Sequence, residues 1–381
     1  MRPTVQISFS PSKRRGVVAH SAAQYDADSE DLAVCDNQSG WGRAMVRWIG
    51  CVVAGLLLTG CTESSCRRVA ALDFESVAVT AYETTLPDAS GGFAVFGDTQ
   101  RTSWQECVIG REVNDAETAA LIASVVEAEP AFVVVVGDFV FHGADEEHWE
   151  LFDVTAGPLR EARTPWLPVV GNHEYWGQNS NALENLRARF SRLATETWYS
   201  ERYAGLGLVI LDSNVDELDD AAWEQQAAWY RAEMAAFNDD PDIRGVLVFA
   251  HHPPFTNSTV VSGDKDVQET FMPAFCESQK GLAFISGHAH GYERFEQGPD
   301  EACGSRGHHF IVTAGGGGPR PDSLRSAEET GYEDLYDGPT PRPFHYLWML
   351  PTPEGVSVEV RGFQTEDAEL QVLERFTLTY E

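Results

Sequence analysis

Residues 166–174 read WLPVVGNHE: an apolar run that ends on a glycine, followed by three side chains able to hold a cation or move a proton. A buried strand that delivers functional groups at its C-terminal end would be written this way. Alone, a Gly-Asp is more often a turn and a single His a satisfied core residue, while Gly-Asn-His-Glu is more specific. Four further runs change that reading: AVFGDTQ (94–100), FVVVVGDFVFHG (132–143), VLVFAHHPP (246–254) and LAFISGHAH (282–290). Each ends in residues that suit a hard or borderline metal ion. The glycine in front of the candidate ligand is expected to let the chain turn sharply and expose the side chain.

Helical patterns separate these runs, among them ETAALIASVVEAE (117–129), NALENLRARFSRL (181–193), AAWEQQAAWYRAEMAAF (221–237) and DVQETFMPAFCESQ (266–279). Two more apolar runs, LGLVILDSN (206–214) and HFIVTAGGGG (309–318), extend the strand count. The C-terminal part, HYLWMLPT (345–352), GVSVEVRGF (355–363) and LQVLERFTLTY (370–380), reads as consecutive strands. Together they predict an α/β fold of two packed sheets with helices outside. FESVAVTAY (74–82) is expected to be an edge strand, and the proline-punctuated stretch 319–343 a surface loop or lid shaping substrate access. The run AGGGGP (314–319) lacks the Lys-Ser/Thr of a nucleotide-binding loop and reads as a strand end passing close to the site. Trp223 and Trp229 read as core.

The chain has 381 residues, 43% hydrophobic and 11% aromatic, which is enough for one large domain with a substantial core. Its formal charge of −32 argues against nucleic acid as a partner, because a polyanion would be repelled. An anionic substrate would need local positive charge, such as metal ions supply.

From residue 45 the chain reads MVRWIGCVVAGLLLTGC. The apolar run is too short to span a bilayer and reads as a signal-peptide core. LTGC resembles a bacterial lipobox, in which Cys61 is lipidated and leads the mature chain. The expected organisation is a disordered or non-native leader (1–44, with Met45 as the true start), a lipoprotein signal (45–60), a tether with an edge strand (61–85) and a catalytic domain (86–381). The implied location is the bacterial cell envelope, anchored through lipid to the periplasmic side of the outer membrane. Four cysteines would remain available for disulfides: Cys66, Cys107, Cys276 and Cys303. They admit three full pairings, and Cys276 with Cys303, which flank one motif, is the preferred pair.

The five motifs in this order resemble the calcineurin-like metallophosphoesterase superfamily over about residues 90–362. GHAHGYER (287–294) is similar to the version in secreted purple-acid-phosphatase-like members. The resemblance implies a two-sheet sandwich flanked by helices (αββα) and a pair of divalent cations drawn from Mn, Fe, Mg or Zn. Two such cations would acidify a water held between them and offset the charge of a phosphate-ester substrate. Carried over by motif position, Asp98, Gln100 and His290 would hold the first metal, Asp138 would bridge, and Asn172, His251 and His288 would complete the second. Pro253 sets the His-x-Pro register that favours His251 over His252. His173 would serve the leaving group and Glu174 would orient it; His142 and His252 would face substrate. Two positions depart from the pattern. Gln100 stands where most relatives have His, a neutral oxygen donor that favours Mg, Mn or Fe over Zn. Phe141 stands where purple acid phosphatases carry the iron-binding Tyr, so no purple colour is expected. The rival readings are a non-catalytic binding lipoprotein that keeps the fold, and a phosphodiesterase or nucleotide pyrophosphatase.

Overall fold

The computed structural model describes residues 79–88, 91–177, 179–296, 303 and 307–380. The leader, the signal segment, Cys61 and the start of the expected edge strand lie outside the described residues. The strands are β1 (Phe93–Phe96), β2 (Val133–Val135), β3 (Trp166–Pro168), β4 (Tyr199–Tyr203), β5 (Leu206–Ile210), β6 (Gly245–Ala250), β7 (Gly281–Ser286), β8 (Tyr292–Glu296), β9 (His309–Thr313), β10 (Phe344–Pro351), β11 (Gly355–Phe363) and β12 (Gln371–Thr379). One sheet has the order β12-β11-β10-β1-β2-β3 and the other β4-β5-β6-β7-β9-β8. β1, β2 and β3 are mutually parallel, as are β5, β6, β7 and β9, so the candidate motifs leave both sheets at the same kind of end, the strand C-terminus.

Side-chain alternation shows why the runs are apolar throughout. Phe93 and Val95 of β1, Val134 of β2, and Leu247 and Phe249 of β6 meet between the sheets. Their neighbours Ala94, Phe96, Val133 and Val135 pack outward against Leu121, Val125, Trp149 and Phe152 of the helices Asp115–Glu127 and Glu146–Thr155. On the far side Val246 and Val248 meet Tyr230, Met234 and Phe237 of the helix Asp220–Asp239. A strand buried on both faces has no polar side to show. The result is the expected four-layer αββα arrangement. Trp223 and Trp229 pack half-buried against the outer core, as expected.

Three local expectations are corrected. Residues 79–82 form no strand; the Tyr82 N–H donates to the Arg189 carbonyl, and the Glu83 carbonyl accepts one bond from Trp166 at the sheet edge. The helical pattern 266–279 is two short helices, Lys265–Thr270 and Met272–Glu277, with Pro273 in the first turn of the second. The stretch 319–343 is the expected surface loop, largely exposed or half-buried, but it is tied to the body and is no free lid. Its buried Arg320 is bound by Glu112 and its buried Arg342 by Asp334, and Leu324 bridges to Ser258. The pair Cys276–Cys303 is a disulfide, as preferred, and Cys107 is disulfide-bonded as well.

Candidate metal centre

The backbone at the strand ends is in an uncommon conformation. Asp98, Asp138, His288 and His290 have φ of 60°, 54°, 69° and 51°. Left-handed backbone at a non-glycine residue costs about 1–2 kcal/mol, so four candidate ligands hold strained geometry together. This corrects the role expected of the glycines. The turn falls on the Asp or His itself, and at residues 137–138 Gly137 shares it with a φ of 92°. The others are required by close approach: a Cβ on Gly171 would lie 2.2 Å from Asp138 Oδ1, and one on Gly287 2.6 Å from Asp98 Oδ2.

These turns bring the predicted side chains into one buried cluster. Asp138 Oδ2 is its centre, 3.2 Å from Gln100 Nε2 on one side and 3.3 Å from His251 Nε2 on the other. On the first side, Gln100 Nε2 lies 3.0 Å from His290 Nε2, and His290 Nε2 lies 3.6 Å from Asp98 Oδ1. On the second, His251 Nε2 lies 3.1 Å from Asn172 Oδ1 and 3.2 Å from His288 Nδ1. A ring nitrogen of His252 falls within 4.8 Å of those of His251 and His288, while its Nδ1 sits 2.9 Å from Ser213 Oγ.

Backbone carbonyls set which nitrogens face the centre. His251 Nδ1 donates to Val136 O at 2.8 Å and His290 Nδ1 to Pro319 O at 2.9 Å. Carbonyls only accept, so both Nε2 lone pairs point inward. The second contact comes from the glycine run: Gly318 N–H donates to Asp98 O, and a Cβ on Gly318 would lie 2.9 Å from the His290 ring. The expectation of a strand end passing close to the site therefore holds.

The donor set fits cations. Asp98 Oδ2 and Gln100 Oε1 are buried without a hydrogen-bond partner. One nitrogen, His251 Nε2, faces three acceptor-type neighbours although it can carry only one proton. Burial pushes the Asp98 carboxyl well above its usual range. Burial acts on Asp138 in the same sense, but His173, His251 and His288 outweigh it and hold that carboxyl well below. His251 is buried, yet Asp138 and Asp98 push it up to about 10, so the carboxylates demand positive charge at the centre. His290 is held at about 4 and His252 at about 3, chiefly by burial, in the neutral form that can ligate. Oxygen and imidazole donors at this density suit divalent ions.

His173 sits at the rim, its Nε2 3.8 Å from Asp138 Oδ2. Glu174 does not orient it. The Glu174 carboxylate accepts the backbone N–H groups of Gly171, Phe139 and Asp138 at 2.8–2.9 Å and of Val140 at 3.4 Å, clamping the loop that carries Asp138. Full burial and the nearby Asp138 raise this carboxyl to about 8. His173 is held instead by Phe141 O, 2.6 Å from its Nδ1, and by the ring of Trp176. His142 packs its ring against His148 and beside Gly177, with no hydrogen bond to the cluster among the described residues.

Sequence reasoning missed the carbonyls of Val136, Phe141 and Pro319, because a backbone acceptor carries no residue-type signal. It also missed Asp212, which accepts from Tyr175 Oη at 2.6 Å and Thr197 Oγ1 at 2.5 Å and so ties down the turn His173–Tyr175. The polar ending LDSN of the run 206–214 was the available sign.

Comparison with solved structures returns the same architecture. A purple acid phosphatase from yellow lupin (Lupinus luteus) seeds matches with a TM-score of 0.55 and 17% identity, over 78% of this chain and 55% of that one. This chain thus spans little more than half of the lupin protein. A Plasmodium protein described as the anchor in the inner membrane complex matches with a TM-score of 0.53 and 13% identity, over 76% and 89%. A dimetal phosphatase from Danio rerio matches with a TM-score of 0.51 and 14% identity, over 77% and 100%. At these identities the likeness is one of fold. Comparison with curated protein sequences finds no match. A family model for calcineurin-like phosphoesterases matches residues 92–292, more than half of the chain. With the metal-suited cluster inside that span, the chain belongs to the calcineurin-like phosphoesterase family.

Proposed function

We propose that this chain hydrolyses phosphate esters at a dinuclear centre, with Asp98, Gln100 and His290 holding one ion, Asn172, His251 and His288 the other, and Asp138 between them. The carrying observation is the position of Asp138 Oδ2, 3.2 Å from the Gln100 amide and 3.3 Å from His251 Nε2. When bound, the two ions supply an activated water and neutralise the phosphate. His173 presents Nε2 to the cluster and gives a proton to the leaving oxygen, while its Nδ1–H stays on Phe141 O. His252, half-buried beside His288, faces the phosphate. Glu174 acts on the loop that carries Asp138 and not on the proton transfer.

The Plasmodium protein of the same fold is described as an anchor, which makes binding the rival role; the donor set, altered only at Gln100, favours turnover. The test is metal content together with hydrolysis of aryl phosphate monoesters and diesters under Mn, Mg, Zn and Fe. Hydrolysis with about two ions per chain supports the reading, and preference between the ester types separates phosphatase from phosphodiesterase. No hydrolysis with fewer than one ion per chain would sink it. His173→Ala should keep metal and lose turnover, whereas Asn172→Ala should weaken one ion.

We further infer an exported lipoprotein anchored at Cys61. Support comes from LTGC after an apolar run and from disulfide bonding at Cys107, Cys276 and Cys303, chemistry of oxidising compartments. Cys61→Ala should release the protein from the membrane fraction, and peptides upstream of Met45 in the native protein would contradict the proposed start.

A further inference from the structure

A cavity of about 350 Å³ opens between the helix Trp104–Val108 and the start of the helix Glu146–Thr155. That size falls in the range of small-ligand sites, roughly 300–1,000 Å³. Phe141 forms its inner wall and makes an edge contact with the His173 ring at 5.3 Å. One wall of the cavity thus borders the residue that presents Nε2 to the cluster. Its outer wall is Trp104, whose side chain is large, apolar and 49% exposed. Trp104 and Phe141 thus give the cavity two aromatic walls. His142 and His148 complete the wall, and the Nδ1 atom of each is buried without a hydrogen-bond partner. Charge decides the rest. The lining guanidinium of Arg101 is paired with Asp115 through two nitrogens at 2.9 Å, leaving the exposed carboxylates of Asp145 and Glu147 to set the sign.

We propose that this cavity seats the organic half of the substrate and selects a planar aromatic group that carries no negative charge of its own. The proposal rests on the phosphoesterase reading for its orientation. Two indole and phenyl walls favour a flat ring by stacking, and the two rim carboxylates repel a second anionic group. A sugar phosphate lacks the flat face, and an ester with a further phosphate meets the acidic rim.

The experiment uses the full chain loaded with Mg, which is diamagnetic, and phenylphosphonate, which keeps the phosphoryl group and aryl ring but has no ester bond to cleave. Saturation-transfer NMR reads ring contact whether or not the protein turns anything over, so failure here is distinct from failure of the phosphoesterase reading. Strong transfer to the aryl protons is expected, with about tenfold weaker binding in Trp104→Ala and recovery in Trp104→Phe. 4-Carboxyphenylphosphonate should bind more weakly than the parent ligand and recover in the double variant Asp145→Asn, Glu147→Gln. Melting temperatures report folding of each variant. Aryl binding unchanged in folded Trp104→Ala, or equal loss for methylphosphonate and phenylphosphonate, would overturn the proposal.

Discussion

The indole of Trp176 lies over the imidazole of His173, ring centroids 3.8 Å apart and planes 28° from parallel. Phe141 meets both rings edge-on, at 5.3 Å from the imidazole and 5.5 Å from the indole, and its carbonyl takes the Nδ1 proton. The ring thus has one free atom, Nε2, and one direction in which to present it. Removing Trp176 should let the ring wander without touching the cluster. Trp176→Ala is expected to keep its metal content and to lower kcat by about tenfold to a hundredfold, the scale of a small misplacement of a catalytic group. The loss should be greater for alkyl esters, which need a proton on the leaving oxygen, than for nitrophenyl esters, which do not. Trp176→Phe should restore most of it. Equal loss for both ester types would show that Trp176 does not act through His173.

Glu174 is expected to govern stability and metal retention together. Its carboxylate collects four backbone N–H groups around the loop carrying Asp138. Glu174→Ala would leave those donors buried and unsatisfied, at about 1–3 kcal/mol each before relaxation. A net loss of about 3 kcal/mol or more in denaturant unfolding is the expected outcome. Glu174→Gln should fall between, because an amide offers one acceptor and turns two donors toward the remaining N–H groups. Retained stability in both variants would remove the clamp from the account.

Gln100 should set metal preference. Its Oε1 is buried and unpartnered, and the amide can turn to present oxygen to an ion. Gln100→His substitutes a softer nitrogen donor, so competition titration should show affinity for Zn rising relative to Mn. An unchanged ratio would mean that the amide does not ligate.

Glu293 links stability to pH away from the cluster. It is 1% exposed, and burial is the main cause pushing its carboxyl up to about 7. Asp334 adds to that push, whereas Thr256 Oγ1 at 2.6 Å, the Asn257 N–H at 3.0 Å and Arg342 oppose it. A folded-state value above the unfolded one near 4.5 gives stability that is complete below about pH 4.5 and lost as pH rises through 7, in total about 3 kcal/mol. Glu293→Gln should therefore show a flatter melting temperature than the parent between pH 5 and 8. Parallel curves would contradict the assignment.

The sequence by itself determined the layers and the donor types. Runs such as FVVVVGD and VLVFAHH are apolar on both alternations because both strand faces are buried, and their order along the chain identifies the family. The left-handed turns at Asp98, Asp138, His288 and His290 were not legible, because propensity assigns positive φ to glycine, and packing alone can hold an Asp or His there. Nor were the orienting partners: Phe141 and Pro319 act through carbonyls that every residue has. Glu174 shows the difference most plainly. Its position beside His173 suggested a side-chain pair, but the 3₁₀ turn His173–Tyr175 points the two residues apart, and the buried N–H groups of the neighbouring strand end claim the carboxylate. Residue type announces which chemistry is available, whereas backbone direction and the demand of buried donors decide which atoms meet.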